Sequence, residues 1–143
     1  MARRRQPRRL RVAAVPDAVV LDSGALSAGA QGDVRVRAEL SLAEQLGARV
    51  HVSSVTLAEV LRGHPRDARV HSLLAGVDKD PVTPELGRAA GELLGRTGKD
   101  DTVDAIVAVS AHRVGVRVRL LTGDPVDLRS LTTDMVGVTV VPI

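Results

Sequence analysis

The sequence predicts an α/β fold, with a mostly parallel sheet and helices on both of its faces. Three observations carry this. Short aliphatic runs alternate with amphipathic helical stretches along the chain. The first run, Ala-Val-Val-Leu at positions 18–21, is apolar at every position, the pattern of a strand buried on both faces rather than one. The chain has 143 residues, enough for one domain with a core of its own.

The elements follow in order. Pro7 and Pro16 bracket the start of the fold, and the first strand ends at Asp22. Ser23, Gly24 and Gly29 make a turn region with room for a short helix. Asp33 suits the cap of a helix running to about Leu46, with Ala38, Leu42 and Leu46 on one face and Gly47 as its stop. Residues 49–53 alternate as a short strand. Ser54 or Thr56 then caps a helix carrying Leu57, Val60 and Leu61, ended by Gly63 and Pro65.

Residues 66–75 read as a further short helix, and 77–82 as either a loop or a short strand. Pro84 opens a helix with an apolar stripe of Leu86, Ala89, Ala90, Leu93 and Leu94, broken over residues 95–99. Asp101 caps a helix through His112. A strand over 114–121, a helix over 126–131 and a strand over 136–141 complete the pattern. No repeat or low-complexity segment interrupts residues 18–143, which read as one domain behind a basic extension of residues 1–17.

Composition narrows the function. There is no cysteine, which excludes thiolate metal sites and disulfides and fits a reducing, cytoplasmic compartment. No apolar run approaches the roughly 20 residues that span a bilayer, so no membrane is expected. Phe, Tyr and Trp are all absent, so nucleic acid cannot be held by aromatic stacking.

The formal charge is +3, unevenly placed. Arg3, Arg4, Arg5, Arg8, Arg9 and Arg11 crowd the first twelve residues, which hold no acid. Twenty basic residues less those six leave 14 against 17 acids, a net of −3 for the rest of the chain. The tail reads as a flexible extension, as the product of an upstream start codon, or as an electrostatic arm for RNA.

Four acids stand where an aliphatic run ends or a helix begins: Asp22, Glu59, Asp104 and Asp124. Each alone reads as a cap or a solvated charge. Asp22 and Asp124 both follow predicted strands, and open parallel sheets gather their function beyond the carboxyl ends of the strands. Glu59 and Asp104 lie near helix starts, where the dipole favours negative charge. Asp101, three residues before Asp104, shares a helix side with it. Two like charges about 4 Å apart repel by roughly 4 kcal/mol at an effective dielectric near 20. Several such acids on one rim therefore either gain protons or hold a hard divalent cation. Mg²⁺ or Mn²⁺ on carboxylates points to phosphodiester chemistry.

The ordered set Leu-Asp-Ser-Gly-Ala-Leu, Leu-Ala-Glu-Val-Leu-Arg-Gly, Asp-Asp-Thr-Val-Asp-Ala-Ile-Val-Ala and Leu-Thr-Gly-Asp-Pro-Val-Asp-Leu resembles the PIN-domain ribonucleases, above all the VapC-type toxins of toxin–antitoxin pairs. The resemblance spans about residues 18–143. Each motif is weak alone; their order and spacing together are specific. It implies an α/β/α sandwich with five short parallel strands. Asp22, Glu59, Asp104 and Asp124 would then form a Mg²⁺ or Mn²⁺ site. Ser23 and Thr122 would be hydroxyls beside it, and Asp101 and Asp127 supporting acids. It further implies cleavage of single-stranded RNA, a homodimer and a cognate antitoxin that blocks the site. Two features depart from the family: the longer basic tail, and Leu128 where an aromatic residue often follows the last acid.

Other signals are weaker. His51, His64, His71 and His112 lack metal-ligand spacing, and His51 suits a structural role. Gly95, Gly98 and Lys99 resemble a phosphate loop, but its first glycine is missing and Asp100 replaces the hydroxyl residue. Arg62 suits either a phosphate contact or a solvated helix end. Gly-x-Ser-x-Gly is absent. A phospho-receiver normally needs an acid pair at strand one and a lysine near the last strand, whereas the lysines here are Lys79 and Lys99; an aspartyl phosphatase wants Asp-x-Asp at strand one, where Asp22 is followed by Ser23 and Gly24. A housekeeping RNA-processing PIN domain and an α/β signalling or binding module with an acidic pocket stay open as alternatives.

Overall fold

Every residue of β1, Ala18–Leu21, is buried, as a strand in the middle of a parallel sheet requires. In the computed structural model, which describes residues 15–143, the sheet has five strands in the order β3-β2-β1-β4-β5, and every pairing is parallel. The others are β2 (Arg49–Ser53), β3 (Asp78–Asp80), β4 (Val118–Thr122) and β5 (Val138–Pro142). Ala18 pairs with both Arg49 and Val118.

Helices cover both faces. On one side Val19, Leu21 and Val52 pack under α1 (Ser23–Ala30), α2 (Val34–Leu46), α3 (Ser54–Val60) and α4 (Ala68–Leu74). On the other, Ala18, Val20 and Leu120 pack under α5 (Pro84–Thr97), α6 (Thr102–Val114) and α7 (Pro125–Leu131). Without aromatic side chains both cores are Leu, Val and Ala, each fully buried Leu or Val contributing about 1.5–3 kcal/mol. α3 straddles the end of the sheet, with Val55 against one core and Leu57 and Val60 against the other.

Several boundaries differ from the sequence expectation, each for a local reason. α2 does not bury Ala38, Leu42 and Leu46; it turns Val36 and Ala43 inward and leaves Leu42 and Leu46 exposed. Glu39, on the inward side, reaches Arg119 of β4 through two bonds of 2.8 and 2.6 Å, which fixes the helix rotation. Ser53, rather than Ser54 or Thr56, caps α3, and the helix ends at Val60, before Gly63. α5 runs through Gly95 and stops at Gly98, which takes φ +67. α6 continues to Val114, so β4 starts at Val118; the Asp17 carboxylate accepts from the backbone N–H groups of Val116 and Arg117 and holds the chain between them. Residues 78–80, left open by the sequence, pair as the edge strand β3.

His51 has the structural role expected: its Nδ1 lies 3.0 Å from Asp80 Oδ2, beside the Arg49–Asp78 ion pair. Residues 1–14, with Arg3, Arg4, Arg5, Arg8, Arg9 and Arg11, lie outside the described residues.

Candidate active site

The strand order reverses between β1 and β4: the chain winds outward through β2 and β3, then returns to add β4 and β5 on the other side. A crevice opens at such a switch point, beyond the carboxyl ends of the two strands. β1 delivers Asp22 there and β4 delivers Thr122, Gly123 and Asp124.

Asp22 caps α1, its Oδ1 accepting from Ala25 N–H at 2.7 Å, and is 7% exposed. Burial raises its pKa; the Thr122 hydroxyl and the N–H groups of Ala25, Gly123 and Gly24 oppose that rise. The same Thr122 hydroxyl accepts from Asp124 N–H at 2.8 Å, so one buried side chain ties the two acid-bearing loops together. The loops also touch through glycines. A Cβ on Gly24 would lie 3.3 Å from both Cα and N of Gly123. Sequence reasoning saw Gly24 only as a turn residue, because the approach depends on a strand pairing a hundred positions away.

The α6 start supplies two acids. Asp101 is its cap, accepting from Asp104 N–H at 2.9 Å, as the sequence predicted. Asp104, one turn in, is half-buried and its carboxyl is pushed up to about 6. Burial is the largest cause, followed by the charges of Asp101, Asp22, Asp124 and Asp127. These five acids therefore share one electrostatic site. Asp124 precedes α7 without capping it, so its exposed carboxylate is open to a ligand. Asp127 is engaged by Lys99, whose Nζ lies 3.2 Å away. Lys99 thus belongs to the acidic rim, a role its weak glycine-loop context did not reveal.

The remaining candidates are placed less centrally. Glu59 is exposed on α3 and makes no hydrogen bond or ion pair among the described residues. Ser23 opens α1 beside Asp22. Thr56, one turn before Glu59, is fully buried with an unpartnered hydroxyl. The Arg62 guanidinium donates to the carbonyls of Ala58 and Leu61 at 2.9 and 2.8 Å, so it closes the end of α3.

Among the described residues no three His, Asp or Glu side chains are gathered tightly enough to enclose a metal ion. The donor chemistry nevertheless fits Mg²⁺ or Mn²⁺: these ions take one or two carboxylates, keep several waters and prefer oxygen throughout. A cation would also relieve the repulsion that raises Asp104.

Acids gathered at the switch point of an α/β/α fold mark the edge at which this class of protein places its functional groups. Residues 19–129 match the family model of the PIN domain, and the chain belongs to the PIN domain family. Membership assigns it to the nucleases, a family of generally divalent-metal-dependent hydrolases. Comparison with curated proteins gives no match.

Among solved structures, VapBC2 from Rickettsia felis, bound to a DNA fragment from its promoter, is similar with a TM-score of 0.70 and 14% identity, over 87% of this chain and 98% of that one. DNA-bound VapBC from Salmonella typhimurium gives 0.64 and 18%, over 87% and 97%. VapBC-5 from Mycobacterium tuberculosis, a member of the VapBC family of toxin–antitoxin systems, gives 0.55 and 23%, over 90% and 100%. At these identities the likeness is one of fold.

Proposed function

We propose that the protein is a divalent-metal-dependent endoribonuclease that hydrolyses single-stranded RNA as the toxin of a toxin–antitoxin pair. The carrying observation is the set of acids that meet at the carboxyl ends of β1 and β4 and the start of α6, within the stretch that matches the PIN domain. The VapBC complexes that share the fold support the toxin reading.

Asp22, Asp104 and Asp124 are the residues that would hold Mg²⁺ or Mn²⁺, with Glu59 of α3 as the fourth acid of the family pattern and Asp101 and Asp127 setting the surrounding charge. When bound, the cation supplies Lewis acidity toward a phosphoryl oxygen and an attacking water. The chain supplies placement. Asp22 is locked by Ala25 N–H and Thr122, so its carboxylate does not move on binding. Below about pH 6 a cation would have to displace the Asp104 proton, so metal affinity should rise as pH passes about 6. Thr122 holds its hydroxyl between Asp22 and the Asp124 loop, and Ser23 would add a second beside Asp22. The partners in this reading are the RNA substrate, a second copy of the chain and an antitoxin that covers the crevice.

Cleavage of single-stranded RNA with Mg²⁺ or Mn²⁺, compared between wild type, Asp22→Asn and Asp104→Asn, tests the reading. Each variant should lose at least about 100-fold in rate, the scale for one charged transition-state contact. Equal cleavage by all three sinks the mechanism. Growth arrest on expression, relieved by the product of a neighbouring gene, tests the toxin role; harmless expression of an active enzyme favours RNA processing.

A further inference from the structure

A cleft of about 830 Å³ runs beside α1, lined by Ser27, Gln31, Val60, Arg66 and Arg69 among others. A second hollow of about 440 Å³ shares Ala30, Gln31 and Arg69 with it and adds Arg37. The two form one trough along the flank of α1. Ser27 lies one helical turn, about 5–6 Å along α1, beyond Ser23, which follows Asp22; from Ser27 the trough runs on toward the end of α1.

Its charge is one-sided. Arg37, Arg66 and Arg69 make no ion pair among the described residues. The acid of the trough, Asp67, is already engaged: it accepts from the backbone N–H groups of Arg62, Gly63 and His64 at 2.8, 2.8 and 3.3 Å. The Arg37 guanidinium lies over Gly32, where a Cβ would come within 3.3 Å of its nitrogen. Three uncommitted guanidinium groups therefore face one channel.

This matters because the body of the protein carries a net −3 outside residues 1–12, and the crevice is its most acidic point. A polyanion is repelled from such a surface unless cations hold it on the approach. We propose that the α1 trough binds the phosphate backbone of single-stranded RNA on one side of the scissile bond, with Arg37, Arg66 and Arg69 as phosphate contacts. It takes the identity of the polyanion from the nuclease reading. Guanidinium forks match phosphate oxygens and do not need the aromatic platforms this chain lacks.

The test uses the full chain and a fluorescent single-stranded oligoribonucleotide, with binding measured in chelator over a salt series so that no cleavage is needed. The triple variant Arg37→Gln/Arg66→Gln/Arg69→Gln should flatten the log–log salt slope by about 2, at roughly 0.7 per lost phosphate contact, and weaken binding about 10- to 100-fold. Replacing the same residues by Lys should restore most of the slope. A control of equal charge change on the opposite layer, Arg88→Gln/Arg96→Gln/Arg113→Gln, should leave both quantities near wild type. Equal losses in both triples, or none in either, overturn the trough. Unchanged RNA binding with lost binding of the neighbouring gene's product gives the trough to a protein partner and also overturns it. If wild type binds RNA through these arginines but never cleaves it in Mg²⁺, the trough stands and the nuclease reading falls.

Discussion

Asp104 gives the site a thermodynamic signature that needs no substrate. Its folded pKa of about 6 lies above the ordinary 3.8, so between those values the folded state holds more protons than the unfolded one. Stability therefore falls as pH rises from about 4 to about 6, and stays lower above that. Undiscounted, the shift corresponds to about 3 kcal/mol; since the group is only half-buried, solvent screening leaves on the order of 1 kcal/mol. About half of that loss is already complete by pH 5, so in chelator wild type should melt about 1–2 °C lower at pH 8 than at pH 5. Asp104→Asn should lose most of that difference, and Mg²⁺ should raise the midpoint at pH 8 far more than at pH 5. A variant whose midpoint tracks wild type across this range would remove Asp104 from the cluster. Asp17, Asp33 and Asp67 act at lower pH: backbone N–H bonds depress their pKa values, so their contribution fades only as pH drops below about 4. The acids at strand ends were legible in the sequence because a charge ends an apolar run. The Thr122 bridge and the Lys99–Asp127 pair were not, since both depend on which loops meet.

At the scale of elements, the site rests on two turns pressed together. Gly24→Ala leaves backbone φ unstrained but pushes a methyl against Gly123, which must give by a few tenths of an ångström. The expected result is a modest loss of stability, about 1–2 kcal/mol by urea melts, with a much larger loss of cleavage as Asp22 and Asp124 move apart. Wild-type cleavage by Gly24→Ala would show that the spacing of the two loops is not critical. Helix and strand identities were readable from period and caps. The face of α2 was not: Leu42 and Leu46 look like core residues, but the Glu39–Arg119 pair turns the helix the other way. The length of α5 was misjudged at Gly95 because a glycine on an exposed helix face costs only about 1 kcal/mol, too little to end a helix that packs well on its other side.

For the whole molecule, the division of charge is the organising fact. A body of net −3 carries an acidic crevice, and six arginines precede it. Deleting residues 1–12 should weaken RNA binding and flatten its salt slope by up to about 4, while cleavage at saturating RNA persists. An unchanged slope would make the tail a bystander. Among the described residues no helix is long and apolar enough to cross a membrane.

The pairing of Ala18 with Val118 has a further consequence, for the order of events at synthesis. Asp22 leaves the ribosome early with only its local α1 partners, and meets Thr122 and Gly123 when β4 docks beside β1, about a hundred residues later. A chain ending before Thr122 has neither the Thr122 bridge nor the Gly24–Gly123 contact, and so nothing that brings the two acid-bearing loops together. Long-range parallel pairing is slow to form. The nascent protein, still tethered to its own messenger, therefore keeps Asp22 apart from Asp104 and Asp124 until the segment through Asp124 has been made.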